Sequence, residues 1–128
     1  MIKFRRYSME TMKRILIIDD DRANVFALTA VLKSKNFKCL SANSALNGLE
    51  ILEQEKDIGI VLMDMMMPYM DGYEAISRMK KCEGLKNIPV IAVTAQAMTG
   101  DKNKCINAGA SEYISKPINV DELMRLLD

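Results

Sequence analysis

The run from Ile58 to Asp64 limits what this chain can fold into more than any other stretch. Ile58 to Met63 is apolar apart from Gly59, and it ends in one carboxylate, Asp64. Met65, Met66, Met67 and Pro68 follow. Proline cannot donate to a β-ladder, so a central strand must stop before it. Asp64 is therefore expected at the C-terminal tip of a buried strand. In an open parallel sheet that edge is where ligands bind. What the chain can do depends on which other groups reach the same edge.

Four more strands read in the same way. Ile15-Leu16-Ile17-Ile18 has the pattern of a strand buried on both faces and stops at Asp19-Asp20-Asp21. Cys39 to Ala42 is short and weak, the pattern of an edge. Ile88 to Val93 ends in Thr94, with Pro89 tolerated near its start. Tyr113-Ile114-Ser115 leads into Lys116-Pro117.

Helical spacing fills the gaps. Ala27, Leu28, Val31 and Leu32 predict a helix over about residues 23–34, with Asn36 as its stop. Ser44 is a good N-cap for a second helix with Ala45, Leu49 and Leu52 inward. A third follows Gly72, with Tyr73, Ile76 and Met79 inward. A fourth covers about residues 100–107, closed by Gly109. Asn119 and Glu122 resemble a capping box ahead of Val120, Leu123, Met124 and Leu127.

Strand-helix repeated five times predicts an α/β fold of parallel strands, right-handed crossovers and helices on both faces. Periodicity leaves the strand order open. At 128 residues the chain is one domain, 13–128, after a basic, Met-rich tail or linker remnant at 1–12.

Composition removes several kinds of chemistry. Eighteen basic against seventeen acidic residues leave a formal charge of +1, which gives no support for binding nucleic acid or a membrane surface. There is no histidine. That excludes a Ser-His-Asp triad, a His-liganded zinc and a phosphohistidine within these residues. Cys39, Cys82 and Cys105 are odd in number and widely spaced, which fits reduced cytosolic thiols better than a redox sensor.

The strand tips then carry the argument. One edge receives Asp19, Asp20 and Asp21 from the first strand, Asp64 from the third, Thr94 from the fourth and Lys116 from the fifth. Taken singly, Asp21 could cap a helix, and Thr94 and Lys116 could be structural. Together they form an all-oxygen cation site suited to Mg2+, with an ammonium and a hydroxyl beside it. Such a set binds a phosphoryl group, with Asp64 the candidate nucleophile and Asp19 and Asp20 the candidate metal pair.

At these residues the sequence resembles the receiver domain of bacterial two-component response regulators, over about residues 14–128. The resemblance rests on ILIIDDD, VLMDMMMP with MDGYE, IAVTA and YISKP, in order. The run AMTGDKNKCINAGASEYISKPINVDEL is particularly similar to receivers attached to hybrid sensor histidine kinases. The resemblance implies a flavodoxin-like fold with strand order 2-1-3-4-5, so that the first and third strands lie side by side. It implies Asp64 as phosphoacceptor and Mg2+ held by Asp19, Asp20, Asp64 and the Met66 carbonyl. It implies Lys116 and Thr94 on the phosphoryl group, Tyr113 as a switch aromatic coupled to Thr94, and a cis Lys116-Pro117 bond. The implied partner is a sensor histidine kinase or histidine phosphotransfer domain. The implied setting is cytoplasmic, with the chain a monomer or weak dimer that catalyses only its own phosphorylation and dephosphorylation. A stand-alone regulator and a domain of a hybrid kinase both fit.

Met66 stands where many receivers carry a polar side chain, and it either shields a phosphoaspartate from water or fills the mouth of the site. Met63, Met65, Met66, Met67 and Met70 divide between core and loop packing, or form a partner surface. Two rivals fare worse. A haloacid-dehalogenase-type phosphohydrolase would want a second acid where Met66 stands. A flavin-binding module would not place three aspartates against a flavin phosphate.

Overall fold

A computed structural model describes residues 13–95 and 100–127; the tail at 1–12 lies outside them. Five strands and five helices alternate. They are β1 (Arg14–Ile18), α1 (Arg22–Ser34), β2 (Cys39–Ala42), α2 (Ala45–Gln54) and β3 (Ile58–Asp64). Then follow α3 (Gly72–Lys80), β4 (Val90–Thr94), α4 (Asp101–Ala108), β5 (Glu112–Ser115) and α5 (Val120–Leu127). All strand pairs are parallel, in the order β2-β1-β3-β4-β5, the order the resemblance implied.

The alternation of side chains along β1 and β3 explains why both faces are covered. Leu16, Ile18, Val61 and Met63 point to one side, where they join Ala45 and Leu52 of α2, Ala75, Ile76 and Met79 of α3, and Cys105 of α4. Ile15, Ile17, Ile60 and Leu62 point to the other, with Leu28 and Leu32 of α1 and Leu123 and Leu127 of α5. A strand apolar at every position has no solvent face, so it needs helices on both sides. On the α1 stripe Leu28 and Leu32 are buried, while Ala27 is exposed.

The ends are set locally. Asp21 accepts the N–H groups of Ala23 and Asn24, so this third aspartate is spent as the α1 cap. Ser44 caps α2 through Asn47 N–H, and Asp71 caps α3 through Glu74 N–H. Asn119 accepts from Glu122 N–H at the start of α5. β4 begins later than expected: Ile88 N–H closes a turn onto Leu85, and Pro89 only offers its carbonyl to Val61 N–H before the strand starts at Val90. The Lys116-Pro117 bond is cis. Among the described residues no helix is long and apolar enough to cross a membrane.

Candidate functional site

Strand register assembles the site. Ile18 pairs with Met63, so the next residues, Asp19 and Asp64, leave adjacent strands side by side. Asp64 pairs with Val93, and Thr94 with Ser115, so Lys116 follows one residue beyond Thr94's partner. The ladder carries on past the tips: Asp19 N–H donates to Ala42, Met65 N–H to Val93, and Lys116 N–H to Thr94. These bonds hold the backbone that carries each functional side chain.

Asp19, Asp64 and Thr94 are buried, at 4%, 5% and 0% exposure, while Asp20 stands in solvent. Oxygens of Asp19, Asp20 and Asp64 lie within 4.8 Å of one another. The Lys116 ammonium is 3.4 Å from Asp19 Oδ2 and 3.6 Å from Asp64 Oδ2, so one cation faces two buried carboxylates. Asp64 Oδ1 accepts the Met66 N–H at 3.1 Å. Asp19 is held from its own side, by Asp21 N–H on Oδ1 at 2.9 Å and by the Asn24 amide on Oδ2 at 2.7 Å. Burial pushes the Asp64 carboxyl up to about 6, and the neighbouring Asp19 adds to this against the Met66 N–H and Lys116.

The donors fit a hard divalent cation. All three side chains offer oxygen, and Asp19 and Asp64 are pressed together at low exposure, with the proton affinity of Asp64 raised. A cation relieves that repulsion, and carboxylate oxygens suit Mg2+. Asp19, Asp20, Asp64 and Lys116 of the expected set are thus brought together. Thr94 lies buried at the tip of the neighbouring strand, and Met66 sits in the loop directly after Asp64. Tyr113 is one strand further out, with its phenol on Asp101 at 3.1 Å.

The methionines divide by alternation that outlasts the strand. Met63, Met65 and Met67 are buried, whereas Met66 is half exposed at the mouth of the site. Two groups were missed from the sequence. Asn24, which steadies Asp19, is signalled only by standing five residues on from it, in the first turn of α1. Asp101, which receives Tyr113, has no local signal at all.

A family model described as "Response regulator receiver domain" matches residues 15–128. The chain is 39% identical over 117 residues to hybrid signal transduction histidine kinase M of Dictyostelium discoideum, an alignment covering 88% of this chain and 5% of that protein. It is 37% identical over 113 residues to the sensor histidine kinase RcsC of Salmonella typhi, covering 88% of this chain and 12% of the kinase. The chain therefore spans a small fraction of these kinases. Among solved structures it is similar to the receiver domain of sensor histidine kinase PA1611 from Pseudomonas aeruginosa. That domain is 30% identical, with a TM-score of 0.81 and coverage of 89% and 93% of the two chains. It carries a magnesium ion coordinated in its active-site cleft.

Proposed function

The chain belongs to the response regulator receiver family of two-component signalling, and from that premise we propose that Asp64 is its phosphoacceptor. The donor is a phosphohistidine on a sensor histidine kinase or a histidine phosphotransfer domain, in the cytoplasm. The chain turns over no separate substrate; it promotes only its own phosphorylation and hydrolysis.

The observation that carries this reading is the Lys116 ammonium poised between two buried carboxylates, Asp19 and Asp64, at 3.4 and 3.6 Å. An attacking carboxylate must be ionised, close to positive charge, and fixed in direction. With a pKa near 6, Asp64 is ionised at neutral pH yet more basic than an ordinary aspartate. The Met66 N–H fixes one oxygen and leaves Oδ2 on the Lys116 side. As Asp64 attacks, the oxygen–phosphorus bond forms, the donor's phosphorus–nitrogen bond breaks, and the freed imidazole nitrogen takes up a proton. Lys116 and the Thr94 hydroxyl pair with the phosphoryl oxygens.

Asp19, Asp20, Asp64 and the Met66 carbonyl would hold Mg2+. Bound there, the cation supplies positive charge to the phosphoryl oxygens. The magnesium in the PA1611 receiver supports this assignment. Asp19 enters it already oriented by Asn24 and by the Asp21 backbone. Thr94 and Tyr113 then change position together, and α4, β5 and α5 present an altered surface, a shift between two packings biased by contacts to phosphate.

Intact mass after incubation with acetyl phosphate and Mg2+ tests the reading. One added phosphoryl group is expected, lost on chelation of the metal and in Asp64→Ala. Unchanged labelling in Asp64→Ala would overturn it.

A further inference from the structure

Asp101 is the first residue of α4, directly after the left-handed Gly100 that precedes the helix. An acidic residue in a first turn ordinarily turns toward its own helix N–H groups. Here both oxygens turn away from the helix. Oδ1 accepts the Tyr73 phenol of α3 at 3.1 Å, and Oδ2 accepts the Tyr113 phenol of β5 at 3.1 Å. The carboxylate is buried, at 7% exposure.

The surroundings keep both phenols as donors. Burial pushes the hydroxyls of Tyr73 and Tyr113 upward, with the carboxylate between them adding to it. The Tyr73 hydroxyl also lies 3.8 Å from the Cys105 sulfur, and the Lys104 ammonium sits 4.3 Å above the Tyr73 ring. Tyr73 is thereby fixed from three sides by α4.

A buried carboxylate is a costly way to brace three elements, since apolar side chains of the same size pack there without desolvating a charge. What a carboxylate offers is two acceptors on one rigid group. A change in one donor is felt by the other. Both bonds are 3.1 Å long, and a phenol that leaves its oxygen takes a donor from a buried acceptor.

We propose that Asp101 is a positioning residue of the switch: it ties the Tyr113 phenol to the Tyr73 phenol, so that a movement of Tyr113 on β5 reaches α3 as well as α4. The inference rests on the reading of Tyr113 as the moving aromatic. It adds α3 to the responding surface and names the residue through which it responds.

The chain has four tyrosines, Tyr7, Tyr69, Tyr73 and Tyr113. Labelling them with carbon-13 at Cζ gives four resonances, assigned by single Tyr→Phe changes in the full chain. Two measurements decide. First, Tyr113→Phe should shift the Tyr73 resonance in the wild-type background, and that shift should fall by at least half in Asp101→Asn and vanish in Asp101→Ala. Asp101→Asn keeps the shape and one acceptor, so it serves if Asp101→Ala does not fold. Second, acetyl phosphate with Mg2+ should move both the Tyr113 and the Tyr73 resonances in wild type. In Asp101→Asn the Tyr113 resonance should still move, with the Tyr73 response cut by at least half. A Tyr73 response of equal size in wild type and Asp101→Asn overturns the tie. So does a variant that loses thermal stability while both resonance couplings persist, since that outcome makes Asp101 a brace only. If wild type gains no phosphoryl mass, the phosphoacceptor reading fails and takes the switch role with it, while the first measurement still reports whether the two phenols are joined.

Discussion

Folding moves the Asp64 carboxyl from the ordinary value near 3.8 to about 6. The native state then holds its proton more tightly than the unfolded state. Between about pH 4 and pH 6 the folded protein binds more protons, so stability falls as pH rises through that window. Above it the loss is complete, on the order of 3 kcal/mol at 1.36 kcal/mol per pH unit. In chelator, urea unfolding at pH 4.5 and 7.5 should show this decline. Asp64→Asn should flatten it and be more stable than wild type at pH 7.5, by up to about 3 kcal/mol, since the net shift already includes the pull of Lys116. An unchanged slope in Asp64→Asn would place the titration elsewhere. Met66 makes a second prediction at this scale. Its side chain stands half exposed at the mouth of the site while its N–H is fixed to Asp64. Met66→Asn leaves the backbone contact and opens the mouth to water. The phosphoaspartate half-life, followed by intact mass after removal of donor, should shorten several-fold; an unaltered half-life means Met66 only fills space.

Between elements, Gly72 is where the site and α3 come closest. A Cβ there would lie 2.5 Å from the Met65 sulfur, 2.8 Å from Met65 Cα and 3.0 Å from the Asp64 carbonyl oxygen. The sulfur can swing away, but the backbone cannot. Gly72 N–H also donates to the Met65 carbonyl, so α3 begins against the turn that carries Asp64. Gly72→Ala should therefore displace α3 or the 64–66 turn, costing about 1–3 kcal/mol as overpacking does. Phosphorylation by acetyl phosphate should slow in parallel. A variant with full stability and full rate would show that the turn yields freely. This packing also separates what the sequence made legible from what it hid. Strand tips were legible because a run such as ILII followed by DDD announces both the strand and its end, and parallel register does the rest. Strand order was not, since alternation is the same in any order; it came with the resemblance. The start of β4 was placed two residues early because Ile88 and Pro89 are apolar, and apolarity does not reveal that Ile88 is already committed to a turn. Asp101 was invisible because its partners stand 28 and 12 residues away, on α3 and β5. Pairings that span elements leave no periodic trace.

Across the whole molecule, the same edge that would bind the phosphoryl group is where folding leaves carboxylate repulsion only partly cancelled, by Lys116. Each face of the sheet has its own half of the core: Ile17 and Leu62 are buried beneath α1 and α5, and Ile18 and Met63 beneath α2 and α3. The strands cannot spread to relieve Asp19 and Asp64 without opening both layers. The strain is therefore kept in the native state and absent from the unfolded one, and a cation that binds only the native site must stabilise the entire domain. At a free Mg2+ concentration about 100 times its dissociation constant, mass action gives about 2.7 kcal/mol. For a domain of this size that corresponds to a rise in Tm of roughly 10 °C. Because the ligands must be ionised, the gain should shrink as pH falls through the Asp64 titration near 6. Thermal scans with and without Mg2+ at pH 7.5 and pH 5 check this, with Na+ at matched ionic strength as control. Equal stabilisation at both pH values, or an equal gain in Asp20→Asn, would mean that the cation acts through general screening and not through the three carboxylates at the strand tips.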